Sequence, residues 1–284
     1  MSKIDNPKVL FDRVSDRCSK LVTNTYSTSF SLAIRFLHKD FIKPIHGIYG
    51  FVRFADEIVD SFHAYHKKEL LTRFANDTHL AIEEGISLNP ILHSFQQVVN
   101  EHGIERQLID KFLTSMAMDL SKEEYTQEKY EEYILGSAEV VGLMCLKVFT
   151  EGNADMYEQL TPSAMKLGSA FQKINFLRDL KADYNELGRS YFPGIDVKQL
   201  DDETKRKIEA DIKADFDFGY EGILKLPKKA RFGVYLAYIY YTALFKQIAN
   251  TPSARILEER ISISKPRKAS LLFGSYVRHS FNLI

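Results

Sequence analysis

Apolar positions along this chain return every three or four residues almost throughout, and no stretch alternates with period two between hairpin turns. The spacing predicts helices over 7–23, 27–36, 40–63, 67–84, 90–101, 104–120, 127–150, 154–159, 162–185, 201–225, 228–249, 253–260 and 266–281. Punctuation supports several of these limits. Asn89-Pro90 and Thr161-Pro162 each set a capping side chain before a proline, whose missing N–H costs nothing in a first helical turn. Gly85, Gly103 and Gly152 fall where helices should end. The run 232–245 holds no formal charge, but it is shorter than the ~20 residues a membrane span requires and contains several tyrosines, so it reads as a buried helix. A long connection, 186–200, includes Gly188-Arg189-Ser190-Tyr191-Phe192-Pro193-Gly194, and long ordered loops are often functional. No composition shift, repeat or flexible linker divides the chain. The expectation is one all-α domain over residues 1–284.

Composition changes this picture only by exclusion. With 14 Gly and 8 Pro in 284 residues, helix breakers are scarce. Hydrophobic residues at 45% and charged residues at 27% exclude disorder. The 38 basic and 38 acidic residues cancel, which argues against binding nucleic acid or anionic membrane by bulk charge. Cys18 and Cys145 lie far apart and match no metal or redox spacing, so they read as thiols in a reducing cytosol. Residues 1–20 lack the apolar stretch of a signal peptide. The expected location is cytoplasmic, with peripheral membrane contact if the substrate or product is apolar.

Two polar stripes interrupt the apolar helices. Tyr49, Arg53, Asp56 and Asp60 fall at i, i+4, i+7 and i+11 and so share one helix face, with Phe51, Phe54, Ile58 and Phe62 on an apolar one. Two carboxylates one turn apart repel, and burial makes that repulsion costly unless a cation joins them. Taken alone, such a pair is more often a solvated acidic face. A second stripe shifts the balance: Gln172, Asn175, Asp179 and Asp183 repeat the arrangement, with amides on the turns before two aspartates. Paired helices of this kind make an oxygen-rich cage suited to Mg²⁺, with Mn²⁺ as an alternative. Arg53, Arg178 and Arg189 beside the acids imply an anion gripped by metal and guanidinium together. A diphosphate fits, because neutralising it turns it into a leaving group. An allylic carbocation left behind then needs a dry, aromatic cavity, for which 20 Phe and 15 Tyr supply material.

At these residues the sequence resembles the squalene/phytoene synthase family, the head-to-head prenyl synthases, and within it the bacterial phytoene synthases. The likeness rests on Tyr26-Ser27-Thr28-Ser29-Phe30, the run from Ile48 through Asp60, Tyr133 with Gly136, Val141-Gly142-Leu143-Met144-Cys145, the run from Gln172 through Asp179, and Asp183 with Arg189-Ser190-Tyr191-Phe192-Pro193. It implies an all-α isoprenoid synthase fold around a central cavity. It also implies condensation of two prenyl diphosphates through a cyclopropylcarbinyl diphosphate. Carried over, Asp56, Asp60, Asp179 and Asp183 would be Mg²⁺ ligands assisted by Asn175. Arg53, Gln172, Arg178, Arg189 and Arg260 would hold diphosphate oxygens. Tyr49 would lie beside the departing diphosphate, and Phe30 and Tyr133 would line the cavity. Either Tyr238 or Tyr241 would join them.

Ala182 departs from the family pattern, which often has an acid just before its last aspartate. No Gly-x-Gly-x-x-Gly dinucleotide fingerprint is present, which argues against NADPH and for a non-reduced product. Squalene synthases of this fold bind their reductant without that fingerprint, so a squalene or dehydrosqualene product from a C15 donor stays an alternative to phytoene from a C20 donor. A di-iron bundle needs two carboxylate-x-x-His motifs and only Asp60 with His63 provides one. A helical binding or assembly protein that kept the fold without catalysis is the rival from another class. The basic tract at Lys265 to Lys268 reads as a solvated helix start or as a cap over diphosphate.

Overall fold

The computed structural model describes residues 6–121, 125–182, 191–195, 200–258 and 260–280. Asp183 and Arg189 therefore lie outside the described residues. Among those described, no strand occurs and the helices follow the predicted order. They are α1 (Pro7–Tyr26), α2 (Thr28–Ile34), α3 (Lys39–Asp60), α4 (Lys67–Glu84), α5 (Pro90–His102), α6 (Arg106–Met118), α7 (Gln127–Ile134), α8 (Val140–Thr150), α9 (Ala154–Ala182), α10 (Asp202–Lys225), α11 (Lys228–Ala249), α12 (Ser253–Ile256) and α13 (Lys265–Ser280). The caps act as their chemistry requires. Asn89 Oδ1 accepts from the N–H groups of Ile91 and Leu92, and Gly85 and Gly103 end α4 and α5 at positive φ.

Helix α3 runs through the core because its apolar face is continuous. Phe51 is fully buried and stacks on Phe95 with ring centroids 3.9 Å apart, with Phe74 at 5.6 Å and Phe112 at 5.3 Å. This cluster fixes the position of the polar face that α3 turns the other way. A second cluster packs α7, α9, α10 and α11 around Ile174, Leu177, Phe216 and Tyr241.

Two predicted features fail for physical reasons, and a third span is shorter than expected. The break before Pro162 does not occur: α9 is one helix from Ala154 to Ala182, with Pro162 inside it. The carbonyl that Pro162 leaves without a partner is that of Glu158, and both residues are exposed, which puts the lost bond on the solvent side of the helix. Thr161 does not cap a new helix; its hydroxyl donates to the Tyr157 carbonyl 2.8 Å away. The second failure is the continuous helix over 127–150, which contains a wide π turn at Leu135–Glu139. A Cβ on Gly136 would stand 2.6 Å from the Lys111 carbonyl, and one on Gly168 2.7 Å from the Ala138 carbonyl. Only glycine permits both approaches, and they bring α6 and α9 hard against the turn. The stretch Gln127–Thr150 is long and apolar enough to cross a membrane, but 61% of its most apolar window is buried inside the protein, as a core helix requires. The region predicted as helical over 253–260 is shorter, ending at Ile256.

His46 gives this fold a pH dependence. Thr23 Oγ1 donates to the Ser19 carbonyl at 2.9 Å, so it must accept from His46 Nδ1, also 2.9 Å away. Burial, with smaller contributions from Lys20 and Arg35, pushes the imidazole down to about 4. The unfolded chain protonates His46 near pH 6.5, so between that pH and about 4 it binds more protons than the folded one. This contribution is therefore harmless above pH 6.5 and destabilises progressively below it. Between pH 7.5 and 4.5 it should remove about 2–3 kcal/mol. Urea unfolding of wild type and His46→Asn at both pH values measures it: the wild type should lose that much more than the variant, and equal losses would contradict the assignment.

Candidate active site

The polar face of α3 and the second stripe on α9 border one cavity of about 690 Å³. Of the residues singled out above, Phe30, Tyr49, Arg53, Asp56, Asp60, Tyr133, Gln172, Asn175, Arg178, Asp179 and Arg260 all line it. Tyr241 lines it too, whereas Tyr238 turns away to stack on Tyr220 at 5.1 Å and meet Phe216 edge-on. That resolves a choice that spacing left open.

On the α3 side, Asp56 keeps about a third of its side chain open towards the cavity (35%) while the protein surrounds it. Burial and the neighbouring Asp60 push its carboxyl up to about 7, with smaller contributions from Asp119 and Glu57; Arg53 opposes them. Arg53 Nη2 pairs with Glu57, and its Nη1 stands 3.8 Å from Asp56. Its guanidinium lies over the Tyr26 ring, 4.4 Å from the centroid. Arg53 Nε and Ser137 Oγ are buried without a hydrogen-bond partner among the described residues, and both residues line the cavity. Buried donors in that condition favour a ligand oxygen.

On the α9 side, Asp179 is held by two arginines. Arg178 Nε donates to both its oxygens at 3.1 Å, and Arg260 Nε reaches Oδ1 at 2.6 Å. Arg260 is otherwise 68% exposed and stands at the rim. Asn175 Nδ2 donates to Gln172 Oε1 at 3.4 Å, and the Tyr241 hydroxyl donates to Asn175 Oδ1 at the same distance. Lys268, read from sequence as part of a helix start or cap, lines the cavity and donates to Thr28 Oγ1 at 2.7 Å. Burial and nearby Arg178 hold its ammonium below the usual lysine range. Arg178, Arg260 and Lys268 thus line the same pocket as the acids.

The remainder of the wall is apolar and aromatic. Phe171 stacks on Tyr241 at 4.1 Å, and Phe30 meets Tyr49 at 6.0 Å and Tyr241 at 5.8 Å. Burial lifts the Tyr49 hydroxyl to about 12, so it stays protonated. The sequence does not single out Asp119, and Tyr191 enters there only as part of a matching motif without a role; both line the cavity beside Tyr133.

The donors fit a hard divalent cation by type, being carboxylates and amides only. Asp60 is among the causes that push the Asp56 carboxyl up, and a cation between the two would relieve that repulsion. Among the described residues, no three His, Cys, Asp or Glu side chains converge as a complete metal site, and Asp183 lies outside them.

Comparison with known proteins agrees with this architecture. The sequence pattern described as squalene/phytoene synthase matches residues 23–267. A chloroplastic phytoene synthase of Cucumis melo is 25% identical, across 95% of this chain and 68% of its own length. A presqualene diphosphate synthase of Rhodopseudomonas palustris is 28% identical, across 58% of each protein. Among solved structures, a dehydrosqualene synthase in complex with ligand superposes with a TM-score of 0.80 at 19% identity, covering 95% of this chain and 98% of that one. That likeness establishes the all-α fold.

Proposed function

Because this chain belongs to the squalene/phytoene synthase family of prenyltransferases, we propose that it joins two molecules of geranylgeranyl diphosphate head to head to give phytoene. The observation that carries this reading is a single cavity bordered by carboxylates, arginines and a lysine and otherwise walled by Phe, Tyr and aliphatic side chains. A diphosphate matches the first part and two isoprenoid tails match the second.

Asp56, Asp60, Asp179 and Asp183, with Asn175, would hold Mg²⁺. Bound there, Mg²⁺ neutralises the charge that develops on a departing diphosphate. The side chains account for the rest. Arg53, Gln172, Arg178, Arg189 and Arg260 bind diphosphate oxygens. Arg178 and Arg260 now rest on Asp179, and an incoming diphosphate offers the same forks a more highly charged partner. Tyr49 flanks the departing group. In the first half-reaction the C–O bond of one donor breaks, and its electron pair leaves with diphosphate. The double bond of the second donor attacks the allylic cation, and loss of a proton closes the cyclopropane. A second C–O cleavage, rearrangement and proton loss give the hydrocarbon, with two diphosphates released in all. Phe30, Tyr133 and Tyr241 exclude water and offer ring faces to the cations. In this reading the whole chain acts as one all-α unit in the cytoplasm, touches a membrane only peripherally, and uses no NADPH.

Diphosphate release from geranylgeranyl and from farnesyl diphosphate tests the metal and the donor together. Release should require Mg²⁺, stop with excess EDTA and return when Mg²⁺ is restored, with the C20 donor preferred. Release that continues in EDTA would refute metal dependence. Preference for the C15 donor would replace phytoene by dehydrosqualene or squalene. Inertness toward both would favour a non-catalytic relative.

A further inference from the structure

Asp119 is a buried carboxylate that the reaction above does not use. It caps the end of α6 and is only 8% exposed, yet it lines the cavity. Two phenols donate to it: Tyr133 Oη to Oδ2 at 2.7 Å and Tyr191 Oη to Oδ1 at 3.1 Å. Both tyrosines are buried, and both line the same cavity. Their rings lie 5.0 Å apart, and Tyr191 stacks almost parallel on Phe176 at 4.1 Å. The three rings come from separate parts of the chain: Tyr133 from α7, Phe176 from α9, and Tyr191 from the segment beyond α9. Ring stacking alone leaves rings free to slide in their planes. Charge-assisted hydrogen bonds from both hydroxyls to one carboxylate remove that freedom. Each hydroxyl has one proton, and both are committed to Asp119, so what remains for the cavity is ring faces and oxygen lone pairs.

We infer that Asp119 is a positioning residue, whose carboxylate pins Tyr133 and Tyr191 as an aromatic wall that shields carbocations from water. The inference rests on the prenyl-condensing reading of the same cavity. It has a chemical signature. If the wall loosens, water reaches the cation, its oxygen bonds to carbon and it releases a proton, and a prenyl or cyclopropylcarbinyl alcohol forms in place of hydrocarbon.

The test combines Asp119→Asn with Tyr133→Phe/Tyr191→Phe, alone and together, using the full chain with geranylgeranyl diphosphate and Mg²⁺. Asn has one carbonyl oxygen and cannot accept from both phenols as the carboxylate does. Asp119→Asn should lower kcat by about 10- to 100-fold, because a shift of about 1 Å in groups that position a reacting centre is enough for a loss of that order. KM and the Mg²⁺ requirement should stay within about 3-fold, and the alcohol share of product should rise. In the Tyr133→Phe/Tyr191→Phe background the same substitution should add less than about 3-fold, because the groups it acts through are gone. Its full effect persisting there would overturn the inference, as would an unchanged kcat and product ratio. A raised Mg²⁺ requirement would also overturn it, by making Asp119 part of the metal site. Tyr191→Phe alone keeps the carboxylate and one of the two bonds. If Asp119→Asn does not fold by circular dichroism, Tyr191→Phe must still raise the alcohol share, and no rise would refute the role. A wild type that releases no diphosphate from either donor would instead sink the functional reading on which the inference stands.

Discussion

Asp56→Asn and Asp179→Asn should each lower turnover by at least about 100-fold while leaving the helical content of the protein unchanged. The two aspartates arrive at this outcome from different surroundings. Burial and the neighbouring Asp60 push the Asp56 carboxyl up to about 7. Its negative charge is unwelcome unless a cation binds. Replacing it by Asn removes the repulsion, so metal-free Asp56→Asn should melt at a higher temperature than metal-free wild type. Asp179 already has cationic partners in Arg178 and Arg260. Asn at that position leaves two arginines without their acid, so Asp179→Asn should gain no such stability. Near-normal turnover in either variant would remove the carboxylates from the mechanism. A lower melting point for metal-free Asp56→Asn would contradict the electrostatic account of the α3 pair.

The largest loss of stability is expected from Phe51→Ala. Phe51 is fully buried, stacked on Phe95 and Phe74 and met at a tilt by Phe112, so its removal leaves a cavity bounded by rigid rings. Deletions of this kind cost about 3–5 kcal/mol. The melting temperature should fall by roughly 6–20 °C. Well below its own melting point, the variant should keep far more activity than Asp56→Asn, because it removes support for α3 and no group from the cavity. A shift under about 3 °C in a thermal melt would show that the aromatic cluster does not anchor α3.

How much of this was legible before the structure depends on how local each signal is. Tyr49, Arg53, Asp56 and Asp60 share one helix face, so the period of 3.6 alone assembles them, and the same holds for Gln172, Asn175 and Asp179. Caps such as Asn89 are equally local. Pro162 obeys the local rule for starting a helix and is overruled, because that turn of α9 is exposed while Leu160 before it and Ala170 after it are buried. The π turn at Leu135–Glu139 leaves only glycines as a trace, and their meaning depends on backbone approach from α6 and α9. Tyr238 and Tyr241 stand one helical turn apart, and only their packing partners distinguish them. Asp119 carries no pattern of its own. Its meaning comes from Tyr133 and Tyr191, the second of them 72 positions away, and no spacing rule joins residues across that interval.

If one cavity both activates a diphosphate and steers the resulting cation into carbon–carbon bond formation, the product itself records it. Mass spectrometry of the organic extract, after incubating the purified chain with geranylgeranyl diphosphate and Mg²⁺, tests it most directly. The expected product is a C40 hydrocarbon, phytoene, with two diphosphates released per molecule formed. Finding only prenyl alcohol, or unreacted geranylgeranyl and farnesyl diphosphates in parallel reactions, would contradict it.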